Sequence, residues 1–208
     1  MIEPGYCLTM ARYNAWQNGL MKTALQKLDE ADLRAERGAF FGSILNTANH
    51  ILWGDTLWMS RFDKGQGPDV GADESVAMTP SFAAWSAERF RMDGRILRWA
   101  EKLGTLDLKG DLEWVAIASG TAFKKPLGFC VMHMLNHQAH HRGQIHAMVT
   151  AAGGEGWVTD LPFLPEEGPW LQPTGPTGRS GTSDEGVRPV EDNRRGDPSA
   201  EVKERDHV

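Results

Sequence analysis

Apolar residues along the chain recur at two periods, and the longer one dominates. Tyr13, Trp16, Leu20, Ala24 and Leu28 follow at steps of three and four, which places them on one face of a helix. Pro4 suits a first helical position, so the pattern predicts a first helix from Pro4 to about Leu28. A second is predicted from about Phe40 to Phe62, where Leu45, Ala48, Leu52, Asp55, Met59 and Phe62 form a heptad-like stripe. Ile51, Trp53, Leu57 and Trp58 lie elsewhere on that helix, so it must touch neighbours on two sides. Gly65 to Met78 reads as a loop. Thr79-Pro80 reads as an N-cap followed by a proline at the first helical position. The third helix then carries Phe82, Trp85, Arg89, Met92, Ile96, Trp99 and Leu103 at helical steps.

Between Leu106 and Pro126 the period drops to two. Leu112, Trp114 and Ala116 alternate with Glu113 and Val115, Ser119-Gly120 turns the chain, and Thr121-Ala122-Phe123 returns. That pattern predicts a short β-hairpin. A fourth helix is predicted from near Leu127 to Gly153-Gly154, a glycine stop. The fold class is therefore all-α: a four-helix bundle with a short hairpin between its third and fourth helices.

Composition adds a boundary and several exclusions. The chain has 208 residues, enough for one domain with an appendage. Its eight Trp and eight Phe supply a core, and the last aromatic is Trp170. From Gln172 to Val208 there are 37 residues, with six basic and eight acidic side chains, four Pro and five Gly. Such a segment buries too little apolar area to offset its ordering entropy. A folded domain over residues 1–170 and a disordered tail over 171–208 are expected. A net charge of −6 argues against nucleic acid as a partner. Cys7 and Cys130 form no disulfide framework and suit a reducing compartment. The chain holds no run of 18 apolar residues, so no membrane span is expected. The start, MIEPGYCLTMARYN, has neither a basic segment nor an apolar core, so a cytoplasmic location is expected.

The candidate chemistry is histidine. His133, His137, His140, His141 and His146 fall within 14 residues of the fourth helix. His133, His137 and His141 are each four apart, about 40° round and roughly 6 Å along the axis from one another. Two imidazoles so spaced can grip one ion from a single helix face. All three cannot, because His133 and His141 stand roughly 12 Å apart along the axis. Spacing leaves two pairs open, His133/His137 and His137/His141. His50 lies in the most apolar helix, where a lone histidine is more often a satisfied core residue. A bundle brings facing helices to about 8–10 Å, close enough for such a residue to complete a site of three imidazoles. Three neutral imidazoles leave a tetrahedral ion one open position, the pattern of a catalytic site. The competing reading is a polar histidine seam bonded within the bundle.

These residues are also familiar as a set. NHQAHHRGQIHAM with LGFCVMHML before it, the segment FFGSILNTANHILWGDTLWMSRF, and YNAWQNGLM resemble, in order, the DinB-like family, which is related to the YfiT-like bundles. The resemblance covers roughly residues 5–165. It implies a four-helix bundle, often a homodimer, that binds a divalent ion through three histidines. Carried over by position these are His50, His137 and His141, and the implied ion is zinc or nickel. Relatives of that family include thiol S-transferases and a thiol-dependent isomerase, which implies a small-molecule substrate such as a low-molecular-weight thiol. The alternatives are a metal-dependent hydrolase and a non-catalytic bundle that binds a metal or ligand. His133 is a weak catalytic candidate, one turn from His137, as a proton shuttle or hydrogen-bonding partner. Asp55 is expected to pair with a buried base, Arg142 or Arg89. Arg142 and Gln144 are expected to pack and hydrogen-bond, Cys130 to be core, and His140 and His146 to serve structure. A homodimer also follows from the apolar excess of the second helix.

Overall fold

The computed structural model describes residues 1–116 and 119–171. Its helices are α1 (Pro4–Leu25), the short α2 (Glu30–Arg34), α3 (Ile44–Asp63), α4 (Phe82–Lys102) and α5 (Leu127–Ala151). Strands β1 (Asp111–Val115) and β2 (Ala122–Pro126) form an antiparallel hairpin between α4 and α5. Helix α1 packs against α4 and α5, and α3 packs against the same two, so the four long helices close a ring. Their apolar stripes meet in a core that includes Met21, Leu25, Leu45, Leu52, Trp85, Ile96, Met134 and Ile145. Trp170 and Leu171 pack on that core. The expected disordered tail, from Gln172 on, lies outside the described residues, as do 117–118 in the hairpin turn. No helix among the described residues is long and apolar enough to cross a membrane.

Local chemistry explains where the helices begin and end, and corrects three expectations. The second predicted helix starts at Ile44 rather than Phe40, because Ser43 caps it by accepting from the Asn46 N–H at 3.2 Å. Phe40 and Phe41 instead sit in a tight turn closed by a bridge between Ala39 and Gly42. The first predicted helix ends at Leu25, and the chain beyond it forms α2, capped by Asp29. Thr79 is not the cap of α4. Ser81 is, accepting from the Ala84 N–H at 3.3 Å. Thr79 is drawn away because both its backbone N–H and its hydroxyl donate to Asn49 Oδ1, at 3.1 and 2.7 Å. The glycine stop after α5 is as expected. Gly153 has φ +80°, and Gly154 N–H reaches Val149 O at 2.9 Å in a Schellman closure.

Helices α3 and α4 run in the same direction: Trp85 donates to Ala48 O near their starts, and Asp63 pairs with Arg95 near their ends. Two consecutive parallel helices force their connection, residues 64–81, to travel back along α3. Trp53 Nε1 donates to Val70 O at 2.9 Å and Asn49 Nδ2 to Val76 O at 3.0 Å. The hairpin covers another part of α3, where Trp114 meets Trp58 with ring centres 5.6 Å apart. The apolar excess of α3 that prompted the homodimer expectation is thus largely covered by its own chain.

One polar assembly crosses the middle of the core. Arg89 of α4 donates to Asp55 of α3 and lies 2.8 Å from Asp93 one turn along. Asn18 of α1 donates to Asp93 at 2.8 Å, and Gln138 of α5 donates to Asp55 at 2.8 Å. Arg142 of α5 donates to Gln138 Oε1 and to Asn14 of α1. Of the two expected bases, Arg89 is the one that pairs with Asp55. All seven side chains are buried, and two carboxylates face two guanidiniums. Burial still pushes the Asp93 carboxyl up to about 6, against the pull of Arg89. Removing one partner of such a pair strands the other in a dry interior. Asp55→Ala is expected to lower the unfolding free energy by about 3–5 kcal/mol, read from urea denaturation.

Candidate metal centre

His50 lies in the second turn of α3, and His137 and His141 lie one turn apart on α5. The two helices pack antiparallel, so the three rings meet on the outer side of their seam. Ring centres are 5.1 Å apart for His50 and His137, 5.0 Å for His50 and His141, and 4.4 Å for His137 and His141. One ring nitrogen from each lies within 4.8 Å of the other two. His133 stays outside this group. Its exposed ring packs edge-on to Trp58 with centres 5.0 Å apart, and 5.8 Å from the ring of His137. Of the two pairs that spacing left open, the structure therefore brings His137/His141 together with His50.

The outer nitrogens of two rings are already engaged. Gln144 Oε1 lies 2.7 Å from His141 Nδ1. A carbonyl oxygen only accepts, so His141 Nδ1 carries the proton and its Nε2 keeps a free lone pair. Ser75 Oγ lies 3.1 Å from His50 Nδ1, which leaves His50 Nε2 to face His137 Nε2, also at 3.1 Å. Imidazole nitrogens sharing a tetrahedral zinc would stand about 3.3–3.4 Å apart, given bonds of about 2.0–2.1 Å. The spacing fits such an ion. The Nδ1 of His137 is buried and has no hydrogen-bond partner.

The electrostatics favour neutral rings. Burial, reinforced by the neighbouring imidazoles, holds His137 down at about 3, and burial with His141 nearby holds His50 at about 4. Burial also lowers His141, partly offset by its bond to Gln144. Only a neutral imidazole has a lone pair to give. Phe41 stacks on His50 with ring centres 3.9 Å apart, and Trp53 flanks the same ring at 6.0 Å.

Gly54 is the least visible part of the site. It lies one turn after His50, and a Cβ there would stand 3.0 Å from His137 Cε1. The glycine lets the imidazole lie against the backbone of α3. Sequence reading passes over Gly54, Phe41 and Ser75. Ser75 sits in an aperiodic loop, and nothing local connects it to a histidine 25 residues earlier. Gln144 was expected to hydrogen-bond, but its partners, His141 and the exposed His140, emerge only in the fold. His146 bonds to the backbone of Trp157, a structural role as expected.

Two outcomes follow. In an ordinary helix Gly→Ala is stabilising by roughly 1 kcal/mol. Gly54→Ala is expected instead to displace the His137 ring and weaken metal uptake at least tenfold (about 1.4 kcal/mol) while helicity is retained, as read by metal titration and circular dichroism. The second outcome concerns pH. His50 and His137 titrate near 6.5 when unfolded and well below that when folded. Between those values the unfolded chain takes up protons that the native chain refuses, so stability falls as pH falls below about 6.5. Buried Asp93 acts in the opposite direction, because its folded value is raised. The metal-free protein is therefore to be compared with a His50→Gln, His137→Gln variant. The variant is expected to lose less of its urea midpoint between pH 7 and pH 5.

Comparison with known proteins identifies the family. The sequence model of the DinB family matches residues 1–173. The curated "Protein DinB" of Bacillus subtilis (strain 168) is 24% identical over 159 residues, covering 74% of this chain and 91% of that protein. No solved structure matches the chain. With nearly the whole described region matched, the chain belongs to the DinB family.

Proposed function

We propose that His50, His137 and His141 hold one divalent ion, zinc or nickel, and that the chain is a metal-dependent enzyme acting on a small molecule, a low-molecular-weight thiol in an S-transfer reaction. The observation that carries this reading is the pair of facing Nε2 atoms at 3.1 Å, with the other nitrogens of His50 and His141 engaged by Ser75 and Gln144. Each neutral imidazole carries one ring proton; with that of His137 on Nδ1, both Nε2 lone pairs face one point, where a cation removes their mutual repulsion. A bound divalent cation supplies Lewis acidity, which lowers the pKa of a thiol brought to it.

The chain's own residues do the rest. Ser75 and Gln144 fix the orientation of two of the three rings, and fixed rings hold an ion more tightly than swinging ones. His50 and His137 are only half-buried, so the site is reachable from solvent, as chemistry on a substrate requires. A cleft of about 630 Å³ reaches Gln144 and is lined by Phe40, Ala147, Met148 and Ala151. It has room for a small thiol. His133, one turn along α5, is held below its ordinary pKa by partial desolvation against Trp58 and by the charge of Arg61. It is therefore neutral at pH 7 and able to accept a proton. Its distance from the trio makes it a weaker catalytic candidate than the three rings are ligands.

Metal content of alanine variants tests the reading. His137→Ala and His141→Ala are expected to empty the site, whereas His133→Ala keeps full stoichiometry. Circular dichroism should be unchanged in all three, because apolar packing holds the helices. Retention of metal by His141→Ala with loss by His133→Ala would overturn the ligand set.

A further inference from the structure

Arg61 lies eleven residues after His50 on α3, about 20° round the axis and so on the same face. Its guanidinium carbon sits 4.5 Å from the centre of the Trp58 ring and 5.1 Å from that of Trp114. Arg34, Arg37, Arg89, Arg91 and Arg95 all hold carboxylates. Arg61 holds none: among the described residues it has no ion-pair or hydrogen-bond partner, although it is half-buried. A guanidinium has five donors, and aromatic faces satisfy none of them as an acceptor oxygen would.

The hairpin makes the surroundings more positive. Pairing places Trp114 opposite Phe123 and Leu112 opposite Lys125, so these four side chains share one face. That face lies against α3, as the contacts of Trp114 with Trp58 and Arg61 show. The hairpin's acids, Asp111 and Glu113, belong to the other face and are taken up by Lys124. Lys125 stands diagonally across the strand pair from Trp114 on that face, and Trp114 is one of the two rings against which Arg61 lies. From Trp58 the surface continues through His133 to His137, with ring centres 5.0 and then 5.8 Å apart.

We propose that Arg61, seated against the edge-to-face pair Trp58 and Trp114 and accompanied by Lys125, binds the carboxylate of an organic anion whose other end reaches the histidine trio. The anion site stands on its own geometry; the reach to the trio rests on the substrate reading given above. A planar guanidinium backed by two rings presents its fork to a planar carboxylate, and the rings shield one side of it from water. The structure thus assigns the substrate an acidic group, at the end remote from the atom that meets the metal.

The test is titration of the zinc-loaded full chain with benzoate and with its neutral counterpart benzamide, read by tryptophan fluorescence and calorimetry. Benzoate is expected to bind saturably and about tenfold or more tighter than benzamide. Arg61→Met keeps an apolar stem against the rings but not the charge, and should lose that preference with zinc content unchanged. Arg61→Lys keeps the charge without the fork, and should retain part of it. Equal benzoate affinity in wild type and Arg61→Met overturns the proposal, as does no saturable binding of benzoate to the wild type. Inorganic phosphate binding more tightly than benzoate overturns the carboxylate assignment. Failure of the chain to take up zinc would defeat the metal reading instead. The same benzoate comparison on the zinc-free chain would then decide the anion site.

Discussion

The hydrogen bond from Gln138 to Asp55 sets the register on which the rest of the site depends. It joins α3 to α5 in the dry interior at 2.8 Å, and Asp55 is itself held by Arg89. The residues just before these two are Gly54 and His137, which meet on the outer side of the same seam. A shift of α5 by one residue would break the buried bond and carry His137 off Gly54 together. A buried polar contact is strongly directional where apolar packing is not, so it can fix a helix in both rotation and translation. The same assembly reaches α1 through Asn14 and Asn18, so the positions of all four long helices are tied to it.

On this frame the histidines gain their chemistry from position more than from number. Five lie on α5, yet two of them join the trio. His133, His140 and His146 each find other contacts: the Trp58 ring, the Gln144 amide and the Trp157 backbone. What distinguishes His50 and His137 is that burial suppresses their protonation while their Nε2 atoms face each other. The parallel course of α3 and α4 matters here too. It obliges the intervening segment to run back over α3, and that is what brings Ser75 to the outer nitrogen of His50.

The hairpin does comparable work at the other end of the face. Two strands so short have no core of their own and are stabilised by packing Trp114 against α3. In return they present one cation, Lys125, and two rings, Trp114 and Phe123, to the side that faces α3 and Arg61. One face of α3 thereby carries a histidine end, at His50, and a cationic end, at Arg61.

The long helices, the hairpin and the family were legible in the residues themselves, because helix and strand periods are local properties and the histidine segments are distinctive. Helix ends were less so. Thr79 followed by Pro80 has the local chemistry of a cap, but Asn49, thirty residues away, competes for it and wins. Spacing on α5 narrowed the ligands to two pairs sharing His137, and family resemblance favoured His141. Which ring faces His50 was decided by the rotation of α5 against α3, a matter of Asp55 and Gln138 meeting across 83 residues. The roles of Gly54, Ser75, Phe41 and Arg61 likewise exist only between elements. A glycine in a helix, a serine in a loop and an arginine among tryptophans carry no local signal of what they will touch, because contact at such separations is set by packing and not by period.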